Sequence, residues 1–279
     1  MDLTEQIDEE FSRIAHLPDD QIDLAHGALL IAKTAYPDLD ENRYLERLNR
    51  IASRIKRGMS ADNDAADIIM RMNHILIEKE GFRGNREDYY DPDNSFLNRV
   101  LDRKTGIPIT LSIIYIEVGG HLGLEVRGIG LPGHFIVALY HASGNIFVDP
   151  FNRGEIRKEG ECLDIVQTYA GETAAPDARW LQPVGKKEVL ARMLRNLKLI
   201  YARQENDVML FKMIHWILTL QPESPAELGA RAMIYEDMGN PARAVKDWER
   251  LIATIDNNEA ATMIRDRIDN LKQQRSRIH

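Results

Sequence analysis

The sequence predicts an α+β protein with an N-terminal helical bundle, a core in which a helix lies on an antiparallel sheet, and C-terminal helical repeats. Three observations carry this. Up to about Glu80 apolar residues recur at three- and four-residue spacing; after Gly123 come three short runs rich in β-branched and aromatic residues; after Gly185 helical spacing returns with an internal repeat.

In the first part the recurring residues are Ile22, Ala25, Leu29 and Ala32, then Leu45, Leu48 and Ile51, then Ile68, Met72, Ile75 and Leu76. This spacing predicts a bundle of about four helices, with Asp19 and Ser60 as expected N-caps and prolines 18 and 37 as punctuation. The polar, turn-rich segment Gly81 to Ser95 is expected to be a surface connection. Asn94 or Ser95 would then cap a short helix through Phe96, Leu97, Val100 and Leu101. An apolar helix follows from about Ile109 to His121, and Gly123 suits its C-terminal end.

Beyond it, Leu124 to Leu131, Phe135 to Tyr140 and Ile146 to Val148 are separated by Pro132-Gly133 and Ser143-Gly144-Asn145, and they predict three antiparallel strands, the last two a hairpin. Residues Asp149 to Val184 look irregular or mixed, with a Pro-containing stretch near Ala175 to Asp177. In the tail, an offset of 34 residues, the tetratricopeptide period, aligns Leu194 with Leu228, Tyr201 with Tyr235, Ile214 with Trp248 and Ile217 with Leu251. Tyr201, Tyr235 and Trp248 are expected between helices, where packing competes with a ligand-binding role. Glu259 to Arg277 is expected to be a capping helix with a polar outer face.

Composition narrows the function. The 279 residues carry 44% hydrophobic and 29% charged residues, an ordinary globular balance. A net charge of −8 disfavours general nucleic-acid binding. The single cysteine, Cys162, excludes an intramolecular disulfide, and with an acidic N-terminus lacking a signal-peptide pattern it predicts a cytoplasmic protein. No apolar stretch approaches membrane-span length, and no HxH or HExxH spacing supports a metal site; no cofactor is expected.

One ordered series could carry chemistry: the helix from Pro108, then His134 at the start of a strand, then Asp149 at the end of the next. Cysteine proteases and transglutaminases place a thiol at a helix N-terminus and take His and Asp from adjacent strands, the Asp orienting the imidazole. The run GIPITLSIIYIEVGGHLGLEVRGIGLPGHFIVAL, followed by NIFVDPFNRGEI, resembles the core of the transglutaminase-like superfamily. In particular it resembles a SirB-type bacterial branch that ends in tetratricopeptide-like helices and whose core also occurs in a eukaryotic F-box protein. The resemblance implies a papain-like core. It also implies a transglutaminase-like domain with its helical bundle over residues 1–184 and a tetratricopeptide-like tail over 185–279.

It further implies a nucleophilic cysteine fifteen residues before Gly123, where this chain has Pro108 and no thiol within five residues on either side. Thr110 and Ser112 are the hydroxyls that could stand in for it. His134 and Asp149 remain open between a remnant triad and simpler roles, a core histidine and a turn-forming carboxylate. Cys162 follows the Asp, outside the family's order, and reads as a small apolar residue; His121 and His141 read as solvated. Three functions follow: an inactive transglutaminase-like protein that binds proteins or peptides; an amide hydrolase or acyltransferase using Thr110 or Ser112 with His134 and Asp149; or a scaffold alone.

Overall fold

The computed structural model describes residues 3–170, 177–255 and 258–277. The chain divides into two compact units, Met1–Met193 and Leu194–His279.

The first unit opens with helices α1 (Leu3–His16), α2 (Leu24–Lys33), α3 (Glu41–Lys56) and α4 (Ala65–Asn73), the last continuing into a π-helical turn, His74–Lys79. Their inward stripes are those of the sequence: α1 buries Ile7, Phe11 and Ile14, and α3 buries Tyr44, Leu48, Ile51 and Ile55. The caps differ from expectation. Asp23, Asp40 and Asp64 cap α2, α3 and α4, and Asp64 forms a reciprocal capping box with Asp67. Ser60 is no cap; its N–H donates to Asn63 Oδ1 at 2.7 Å. The carboxylate of Asp19 instead accepts the Lys186 and Lys187 N–H groups at 2.8 and 2.9 Å, closing the N-terminus of α8 (Lys186–Arg203). A spare carboxylate ahead of one helix is equally able to cap another that tertiary structure brings to it.

The segment from Gly81 to Ser95 is not simply a surface connection, since Phe82, Asn94 and Ser95 are buried. Strand β1 (Arg83–Gly84) pairs in parallel with β2 (Thr105–Gly106). Asn94 does not cap α5 (Leu97–Arg103), which lacks a side-chain cap; its amide is used on Asn85 and on the carbonyls of Asp88 and Tyr89.

Helix α6 (Pro108–His121) is apolar nearly all round, and the fold buries it accordingly. It packs against α2, α3 and α5 and against β3 (Glu125–Ile129) and β4 (Ile136–Tyr140). Gly119 lets β3 approach closely, for a Cβ there would meet Val126 at 2.4 Å, and Gly123 (φ +75°) ends the helix. With β5 (Ile146–Asp149) and β6 (Glu155–Arg157) these strands form one antiparallel sheet in the order β3-β4-β5-β6. The region after Asp149 thus contributes a fourth strand and a helix, α7 (Glu159–Ala170). Apart from Asp177, the expected Pro-containing stretch lies outside the described residues. Cys162 and Val166 of α7, with Leu181, pack on Ile136 and Ala138, so both sheet faces are covered.

The second unit begins within α8 and continues through α9 (Asp207–Leu220), α10 (Pro225–Asp237), α11 (Pro241–Ile252) and α12 (Asn258–Arg277). Its turns repeat at the same 34-residue offset. Asn206 and Asn240 cap α9 and α11 by accepting from Met209 N–H and Arg243 N–H, and each Asn N–H reaches back to a tyrosine carbonyl, Tyr201 at 3.0 Å and Tyr235 at 2.8 Å. The intervening left-handed residues are Glu205 (φ 55°) and Gly239 (φ 67°). Tyr201 and Trp248 are buried, with the Trp248 Nε1–H donating to Glu236 at 2.7 Å. Tyr235 is only half-buried, its ring edge-on to Phe211 and flanked by Arg231 and Arg243. No helix among the described residues is long and apolar enough to cross a membrane.

Candidate functional site

The sheet register puts Val137 opposite Val148, which leaves Asp149 level with Ile136 and two residues from His134. A turn aims the histidine. In Leu131-Pro132-Gly133-His134 the proline presets the second position, Gly133 takes φ +73° at the third, and the His134 N–H closes on the Leu131 carbonyl at 3.2 Å. His134 Nε2 lies 2.8 Å from Asp149 Oδ2, and both residues are buried.

Asp149 is held in turn by Asn152, whose N–H donates to Oδ1 at 3.1 Å and whose amide donates to Oδ2 at 2.7 Å. Burial acts to raise the Asp149 carboxyl, but the hydrogen bond and charge of His134 with the two bonds from Asn152 outweigh it and hold it below the ordinary range. Phe151 stands edge-on to the imidazole, ring centres 6.0 Å apart.

The remaining sequence candidates are not joined to this pair. Pro108 is buried at the first position of α6, where a missing N–H costs nothing. Thr110 Oγ1 accepts the Ile107 N–H at 3.2 Å and lies 2.7 Å from the Asn94 carbonyl and 3.1 Å from that of Ile107. It is part of the helix start. Ser112 Oγ is buried and has no hydrogen-bond partner among the described residues. Neither hydroxyl is therefore bonded to His134. Cys162 lies in the α7 core, where burial pushes its thiol up to about 12. His141 bonds Ser143 Oγ at 2.8 Å, and His121 is exposed at the end of α6. Tyr201, Tyr235 and Trp248 belong to the second unit.

Several supporting residues had no signal in the sequence. Arg192 of α8 donates from Nη2 to the carbonyls of Leu131 and His134 at 2.7 and 3.1 Å, clamping the histidine turn. Tyr115 donates to Asn73 Oδ1 at 2.7 Å, and Asn73 Nδ2 donates to the Gly154 carbonyl at 2.6 Å, bracing the turn after Asp149. These partners are far apart in sequence, so no local motif could reveal them. Asn152 was the exception, standing at the third position after an Asp that opens a turn.

A second cluster also escaped spacing rules. His26 Nε2 lies 3.2 Å from Glu10 and 3.3 Å from Glu41, and these ligand atoms lie within 4.8 Å of one another. Lys33 is ion-paired with Glu41, which already neutralises part of the charge a cation would use.

A buried helix on an antiparallel sheet, with an Asp at the end of one strand paired to a His in the turn that leads into its neighbour, is the architecture of the papain and transglutaminase class. The chain belongs to the transglutaminase-like superfamily, whose family model matches residues 42–195. It is 32% identical over 272 residues to a UPF0162 protein of Xylella fastidiosa (strain Temecula1), covering 96% of this chain and 97% of that protein. A UPF0162 protein of Vibrio cholerae is 26% identical, covering 90% and 93% of the two chains. Human F-box only protein 21 is 29% identical over 185 residues, which are 62% of this chain and 28% of that protein. No solved structure matches the chain.

Proposed function

We propose that the chain is a catalytically inactive transglutaminase-like protein that acts as a protein- or peptide-binding module, its C-terminal helices being tetratricopeptide-like. The observation that carries this is the start of α6: Pro108 occupies the position that the family resemblance assigns to the nucleophile and has no group to attack a carbonyl. The hydrolase reading needs a hydroxyl in contact with a base. Thr110 is committed to the helix start and Ser112 has no hydrogen-bond partner among the described residues, which weighs against activation of either by His134. On this reading the His134–Asp149 pair keeps two strand ends and their turns in register, an inherited geometry retained for structure. Occurrence of a similar core inside an F-box protein supports a role in recognition.

The test joins turnover to binding. Wild type and His134→Ala are assayed with fluorogenic peptide amides and with a glutamine-donor, amine-acceptor pair. Partners captured on the immobilised full chain are then purified and titrated against both proteins. The expected result is no turnover above buffer by either protein, with saturable, reversible binding that survives His134→Ala. Turnover that His134→Ala abolishes would overturn the proposal.

A further inference from the structure

In the second unit, the N-terminus of α9 and the C-terminus of α10 enclose a cleft of about 430 Å³ lined by Asp207, Val208, Phe211, Ile234, Asp237 and Met238. Its floor is apolar: Phe211 stacks parallel to His215 and meets the Tyr235 ring edge-on at 5.5 Å. Two apolar side chains at its rim are turned to water, Val208 at 79% exposure and Met238 at 68%. Single exposed apolar residues are commonplace, but two bordering one apolar cleft make a surface that gains by being covered.

Two carboxylates share the rim. Asp207 and Asp237 are exposed, and among the described residues neither has a hydrogen-bond or ion-pair partner. Asp207 stands at the start of α9, where an acid is favoured by the helix dipole. Asp237 ends α10, whose last turn holds no basic residue, so it faces the negative end of its own helix. Arg267, whose charge reaches Asp237, is itself bonded to Glu236 at 2.7 Å.

An apolar floor with unpaired carboxylates at its mouth fits a long side chain with an aliphatic stem and a cationic head. We infer that this cleft receives a lysine or arginine of a partner segment in which aliphatic residues flank the cation and cover Val208 and Met238. This rests on the protein- or peptide-binding reading and adds the place and the chemistry of recognition. It stands apart from Tyr201 and Trp248, which are buried in packing.

The test selects dodecapeptides from a random display library on the full chain, then measures the synthetic peptides by fluorescence polarisation. Peptides with Lys or Arg beside Leu, Ile or Met are expected, binding more weakly as salt rises. The Asp207→Asn/Asp237→Asn and Val208→Ser/Met238→Ser variants should each weaken binding roughly tenfold or more. All four positions are on the surface, and thermal melts by circular dichroism verify folding. Selected peptides that bind both variants as well as wild type would overturn this site while leaving peptide binding intact. Failure to enrich any peptide, with no partner captured by the full chain, would remove the binding reading and this inference together. A dimer in sedimentation that Met238→Glu converts to monomer would identify a second copy as the occupant, and would equally overturn the proposal.

Discussion

His134 and Asp149, fifteen residues apart in the chain, share a 2.8 Å hydrogen bond while only 4% and 0% exposed. The pair's stabilisation depends on the carboxylate being ionised. Because Asp149 is held below its ordinary range in the fold, its contribution is present above the unfolded value of about 3.9 and is lost as pH falls through the lowered folded value. Asp149→Asn should therefore cost about 2–3 kcal/mol near neutrality. The difference from wild type should shrink as the medium is acidified, which urea titrations at a series of pH values will measure.

Glu117 of α6 has the opposite sign. Burial first, then the charge of Asp23, raise its carboxyl to about 7 against the opposing charge of Lys186 and a backbone hydrogen bond with Ala25. A raised carboxyl favours the protonated fold at low pH, so this contribution is full below the unfolded value and disappears as pH rises through about 7. Glu117→Gln should be more stable than wild type by up to about 3 kcal/mol at about pH 8, the two converging near pH 4.5. Equal stabilities across that range would refute it.

Cys162 should be inert in the native protein. It is fully buried and its thiol is pushed up to about 12, so little thiolate forms at neutral pH and reagents cannot reach it. Iodoacetamide should label it far more slowly than a free thiol, with a rate that follows opening of the fold and rises with sub-denaturing urea. Labelling at the rate of glutathione would show an accessible site.

Trp248 fills the interior of the second unit with Ile214, Leu228 and Leu251. Trp248→Ala should cost about 3–5 kcal/mol. Hydrogen exchange should locate the loss in α10, α11 and α12, and unaltered protection there would mean the ring contributes little to packing.

Asp19→Ala should remove two hydrogen bonds from the first turn of α8 and cost about 1–2 kcal/mol, against little change for Asp20→Ala. Chemical denaturation of the two variants side by side tests this, and equal effects would argue against a cap acting across the chain.

By itself the sequence determined the α+β class, the four leading helices, the three strands from Glu125 to Asp149 and the 34-residue offset that recurs in Asn206 and Asn240. It also placed Asp149 at a strand end, whereas His134, expected to start a strand, lies in the turn two residues ahead of β4. Those features follow from local periodicity, from turn residues such as Pro132-Gly133, and from a pattern short enough to be read along the chain. Only the tertiary structure decided which groups meet. Asp19 closes a helix that begins at Lys186, Arg192 clamps the His134 turn, Asn73 links Tyr115 to Gly154, and Thr110 is tied to Asn94 instead of to a catalytic base. Each of these depends on a donor and an acceptor brought together by burial of apolar surface elsewhere, and the hydrophobic effect that drives that burial is non-directional, so it leaves no local trace of which polar groups will end as partners.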